Sequence, residues 1–105
     1  MAFIHTSPAA IGPLMQFYNE AAPEIEITNL LDDGLLRLLA AGEAVTVRAR
    51  LAGMLDGAVR DYRPELAMIT CSSVPREMSD SLARDFSLPV LKIDYPMARR
   101  AVRAG

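Results

Sequence analysis

Short apolar runs bounded by turn residues alternate along this chain with longer segments whose apolar side chains recur every three or four residues. That alternation restricts the chain to few architectures. Residues 2–4, 66–70 and 89–93 read as buried strands, and residues 24–31 alternate at period two, which marks a strand with one polar side near a sheet edge. Between them, a helix entered through Ser7-Pro8 carries Ile11, Leu14, Met15 and Tyr18 on one stripe and stops at Pro23. Asp32-Asp33-Gly34 breaks the second strand, and Leu35, Leu36, Leu38 and Leu39 form a short helix ending at Ala41-Gly42. A longer helix over 43–62 presents Val47, Leu51, Met54, Leu55, Ala58, Val59 and Tyr62, with Arg48, Arg50, Asp56, Arg60 and Asp61 on its other face. Another runs from Val74 or Pro75 to Phe86, and a last one is expected from Asp94-Tyr95-Pro96 to Gly105, with Arg99, Arg100 and Arg103 near its end. Strands separated by helices pair in parallel through right-handed crossovers. The expected fold is therefore a doubly wound α/β sheet of about four parallel strands flanked by helices.

Composition sets the limits of function. The 105 residues suffice for one domain with a core, and with 51% apolar residues, 6% aromatics and no tryptophan that core must be built from Leu, Ile, Val, Ala and Met. A net charge of −2 gives no electrostatic reason to expect nucleic acid or an anionic membrane as partner. The lone cysteine, Cys71, rules out an internal disulfide, and the lone histidine, His5, stands far from it in sequence, so no metal site and no cofactor are expected. Without a basic segment leading into an apolar core, and with no apolar run near the roughly 18 residues of a membrane span, the chain reads as soluble and cytoplasmic.

In a parallel sheet the carboxyl ends of the strands lie along one edge, where open α/β sheets bind ligands. The residues that converge there are His5-Thr6-Ser7, Asp32-Asp33, Cys71-Ser72-Ser73 and Asp94-Tyr95. Cys71 is the best candidate for chemistry, because it closes an apolar run and opens a helix whose partial positive charge favours a thiolate. The competing reading is a small buried apolar side chain. Ser7, Asp33, Ser73 and Asp94 each have an ordinary role as helix N-caps, and His5 serves equally as a hydrogen-bonded structural residue or a proton carrier. Other thiol chemistries fit less well. Four residues rather than five separate Cys71 from Arg76, with Glu77 where a phosphatase loop needs its cation, and there is no second cysteine for a redox pair.

The segments Ile4-His5-Thr6-Ser7-Pro8, Asn29-Leu30-Leu31-Asp32-Asp33, Ile69-Thr70-Cys71-Ser72-Ser73-Val74 and Pro89-Val90-Leu91-Lys92-Ile93-Asp94 with Met97-Ala98 together resemble the first lobe of the aspartate/glutamate/hydantoin racemase superfamily. The resemblance implies two similar α/β lobes with an amino acid or other small carboxylate between them. In the racemases a cysteine from each lobe flanks the substrate Cα, one thiolate removing the α-proton and the other thiol delivering a proton to the opposite face. By that resemblance Cys71 is one acid/base, Ser72 and Ser73 hold the substrate carboxylate, and Thr6 and Ser7 are first-loop contacts. His5, Asp32 and Asp94 are further candidates. The chain is half the family's length and has one cysteine, so it is expected to be a single lobe (residues 1–105) whose second lobe, or a homo-oligomer partner, supplies the other acid/base. A different class of function uses the same residues: a non-catalytic small-carboxylate-binding or interaction domain.

Overall fold

In the computed structural model, which describes residues 1–93, the first strand sets the plan. β1 (Ala2–His5) is buried along its whole length, as an interior strand of a parallel sheet covered on both faces must be. β2 (Thr28–Leu31) lies on one side of it and β3 (Ala67–Ile69) on the other, with β4 (Val90–Lys92) outermost, giving a four-stranded, all-parallel sheet in the order β2-β1-β3-β4. The chain steps outward from β1 to β2 and then crosses back to the far side. The strand order therefore reverses between β1 and β3.

The connections are helical, as the periodicity requires. A single 3-10 turn (Pro8–Ala10) leads into α1 (Ile11–Ala21); α2 (Leu35–Ala40) and α3 (Ala44–Tyr62) join β2 to β3; α4 (Arg76–Phe86) joins β3 to β4. Ala2, Ile4, Ala67, Ile69 and Val90 form one face of the sheet, and they share a core with Leu35 of α2, Val47, Leu51, Leu55 and Ala58 of α3, and Leu82 of α4. The alternate residue Phe3 points to the opposite face, where its ring meets Tyr18 of α1 with centroids 5.5 Å apart. The doubly wound plan follows: α1 on one side, α2 to α4 on the other.

Several boundaries differ from the sequence reading. Residues 24–27 alternate like a strand but are not one, because β1 offers pairing partners only from Ala2, which aligns with Thr28. Before that register begins, the Met1 ammonium donates to the Glu26 carbonyl and Ile25 remains 40% exposed. Tyr62 belongs to the apolar stripe of α3 by spacing, yet at the last residue of the helix it is 59% exposed. Arg48, expected on the solvated face, instead reaches α4, where it donates to Ser81 Oγ and pairs with Asp85. No residue of α1 is fully buried, and Leu91 on β4 is 49% exposed, so the α1 side is the thinner layer. The helix expected from Asp94 onward, with its three arginines, lies outside the described residues. Among the described residues no helix is long and apolar enough to cross a membrane.

Candidate functional site

Where the order of a doubly wound sheet reverses, the loops leaving the two central strands diverge to opposite faces and leave a crevice between them. Here those strands are β1 and β3, so the reversal point lies between Thr6-Ser7 and Cys71-Ser72-Ser73. The two loops are tied at their bases by the Thr70 amide, which donates to the Ile4 carbonyl at 2.9 Å; on the other side of β3 the Ile93 amide donates to the Ile69 carbonyl at 2.9 Å. The sequence-predicted residues of β1 and β3 are thus brought to one edge.

Their side chains play different parts. Thr6 is buried. Ser7 is partly exposed and caps the 3-10 turn, its Oγ accepting from the Ala9 amide at 3.3 Å, which is the expected capping role. Cys71 is 8% exposed and packs at the margin of the core shared by Ile69 and Val74. The chain then turns, the Val74 amide facing the Cys71 carbonyl at 3.4 Å. With Cys71 and Val74 pointing inward as anchors, Ser72 and Ser73 are thrown out to solvent. Lys92, the last residue of β4, reaches back across the strand end and donates from Nζ to the Ser72 carbonyl at 3.2 Å, fixing the loop from the far side.

Two expectations about this loop are corrected. Cys71 does not open the helix, since α4 begins at Arg76 and a turn separates the sulfur from it; the helix field, which fades within a turn, acts at that remove. Ser73 does not cap α4 either. Pro75 occupies the N-cap position and makes no side-chain capping bond. Among the described residues there is likewise no cap from Asp33: its neighbour Asp32 shapes that turn, with Oδ1 accepting from the Gly34 amide at 3.0 Å and Oδ2 paired with Arg50 at 3.0 Å. Asp32 is therefore occupied in holding α2 to α3, and Asp94 lies outside the described residues.

His5 is fully buried on the α1 side of the sheet. Its Nδ1 lies 2.8 Å from Thr70 Oγ1 and its Nε2 lies 2.8 Å from Asn29 Oδ1, so one ring joins side chains of three adjacent chain segments: β1, β2 and the end of β3. Each ring nitrogen thus has a polar partner at hydrogen-bond distance, and the Thr70 hydroxyl in turn donates to the Ile4 carbonyl at 3.3 Å. The geometry matches the structural reading of His5, with no exposed nitrogen left for proton transfer. Asn29, Arg50 and Lys92 are not singled out as functional from sequence, and Thr70, whose hydroxyl is expected beside Cys71, instead meets His5. A lysine ending an otherwise apolar strand, and a polar Asn29 in register beside buried Phe3, are the signals that mark two of them.

Beside the exposed serines runs an open groove of about 450 Å³, walled by Leu36, Leu39 and Ala40 of α2, by Met78 of α4, and by Ser73 and Pro75 of the β3–α4 loop. It was not anticipated, because its walls are remote in sequence. No group of His, Cys, Asp and Glu suited to a metal ion occurs among the described residues. Comparison with protein-family models, with curated proteins and with solved structures finds no match for this chain.

Proposed function

We propose that this chain is a small-carboxylate-binding lobe of the racemase or related isomerase type, cytoplasmic and independent of cofactors, with Cys71 as one of two acid/base thiols. The observation that supports it is the placement of the hydroxyl-bearing Thr6-Ser7 and Ser72-Ser73 loops on either side of the β1/β3 reversal point, with the only thiol of the chain between the serines and the core. Backbone N–H groups and hydroxyls at such an edge suit a carboxylate, whose charge they offset without a cation.

The chemistry asked of the site is demanding. An α-proton beside a carboxylate is weakly acidic, so the base must stand within hydrogen-bond reach and preorganised donors must stabilise the carbanion that forms. Thiolate Sγ takes the proton from Cα, and the electron pair left on carbon is shared with the carboxylate held by the serine loop. Reprotonation from the same sulfur regenerates the starting enantiomer. Inversion needs a donor on the other face, which a second lobe or a second subunit supplies.

The burial of Cys71 favours a second reading, in which the crevice binds a carboxylate and the cysteine only packs. Exchange in D₂O separates the two. With a panel of free amino acids, the first reading predicts deuterium at Cα of one enantiomer without inversion by the chain on its own, lost in Cys71→Ser. Carboxylate binding without any exchange selects the second reading, and absence of both rejects the site.

A further inference from the structure

The groove beside Ser73 indicates what kind of side chain such a substrate carries. We infer, resting on the carboxylate reading above, that the substrate is a carboxylate with an aliphatic side chain, seated with its carboxylate on the Ser72-Ser73 loop and its apolar part in the groove between α2 and α4. Ser73 belongs to both features: it is one of the two exposed hydroxyls of the loop and part of the groove wall. A ligand held at the serines is therefore at the mouth of the groove.

The lining selects by chemistry. Leu36, Leu39, Ala40, Pro75 and Met78 present carbon, and among the described residues none of the wall carries a charge. Leu36 is 42% exposed, so apolar surface lies open for a ligand to cover. A second carboxylate placed there would lose water and gain no counter-ion from the wall, which is costly in an apolar setting. A volume of about 450 Å³ lies within the range of small-ligand sites. Discrimination by an apolar pocket is modest for one methylene and larger when a polar group is left unpaired, so a preference of at least about tenfold is expected.

The test is a set of NMR titrations of the whole chain with 4-methylpentanoate, glutarate and the uncharged 4-methylpentanamide. The inference predicts saturable shifts at Ser73, Leu36 and Met78, with 4-methylpentanoate binding at least about tenfold more tightly than glutarate and than the amide. Leu36→Arg, at a half-exposed position, is expected to reverse the preference toward glutarate; Ala40→Arg provides the same cation if the first variant does not fold. Equal binding of the two carboxylates would overturn the inference while leaving the carboxylate reading standing. Equal binding of acid and amide would overturn both, since the groove would then act without the serine loop. Binding of none of the three probes also overturns both.

Discussion

Replacing Thr70 by valine isolates the contribution of the buried polar bridge across the sheet. The substitution keeps the shape of the side chain and removes one oxygen, Oγ1, which lies 2.8 Å from His5 Nδ1 and 3.3 Å from the Ile4 carbonyl. The Ile4 carbonyl keeps its bond from the Thr70 amide at 2.9 Å, so only Nδ1 loses its partner. His5 has no exposed surface, while Thr70 at the strand end is only partly buried. A buried polar atom left unsatisfied costs about 1–3 kcal/mol. For a domain of this size that corresponds to a fall in Tm of about 4–24 °C, at roughly 4–8 °C per kcal/mol. The cost should vanish when the ring nitrogen is absent: in a His5→Phe background, Thr70→Val is expected to be nearly neutral, because both partners are then apolar. The assay is urea unfolding of the four proteins of this double-mutant cycle, followed by circular dichroism, with a coupling of at least about 1 kcal/mol expected between two groups in contact. Equal cost of Thr70→Val in both backgrounds would show that the bridge contributes nothing and refute the reasoning.

Other substitutions test other parts of the fold. Leu51→Ala or Leu55→Ala removes a fully buried side chain from the centre of α3 and should cost about 2–5 kcal/mol in the same unfolding assay. Ser87 and Arg63 end α4 and α3 with φ of 50° and 47°, a region that favours glycine, so Ser87→Gly and Arg63→Gly should each stabilise by about 0.5–1 kcal/mol. Asp32→Ala, which frees the Gly34 amide and Arg50, should cost about 1 kcal/mol and leave carboxylate affinity unchanged in the NMR titration. Cys71, at 8% exposure, should react with iodoacetamide far more slowly in the folded protein than in urea, as mass spectrometry would record, an outcome that favours its packing role over its acid/base role; equal rates would contradict its burial.

The architecture was legible from sequence because alternating strands and helices admit few arrangements, and the apolar spacing of Val47, Leu51, Leu55 and Ala58 fixes which side of α3 meets the sheet. What local pattern could not convey is partnership. Residues 24–27 have the alternation of a strand, but whether they pair depends on how far β1 extends, a fact held elsewhere in the chain. The strand-end residues converge as the parallel topology requires, whereas their states do not follow from position: Ser72 and Ser73 are exposed because Cys71 and Val74 are not, and Asp32 is engaged because Arg50 faces it one helix later. The groove was invisible for the same reason, its walls coming from α2, α4 and the loop before α4.

Amide chemical-shift mapping of a carboxylate titration tests the central claim most directly, because it asks where on the molecule the ligand sits without requiring turnover. With 4-methylpentanoate, the expected perturbations fall on Ser72-Ser73 and on Leu36 and Met78 of the adjoining groove, extend to Thr6-Ser7 and Cys71 across the β1/β3 reversal point, and weaken when Ser72 and Ser73 are both replaced by alanine. Perturbations confined to other surfaces, or unchanged in the double variant, would contradict a carboxylate site at that crevice.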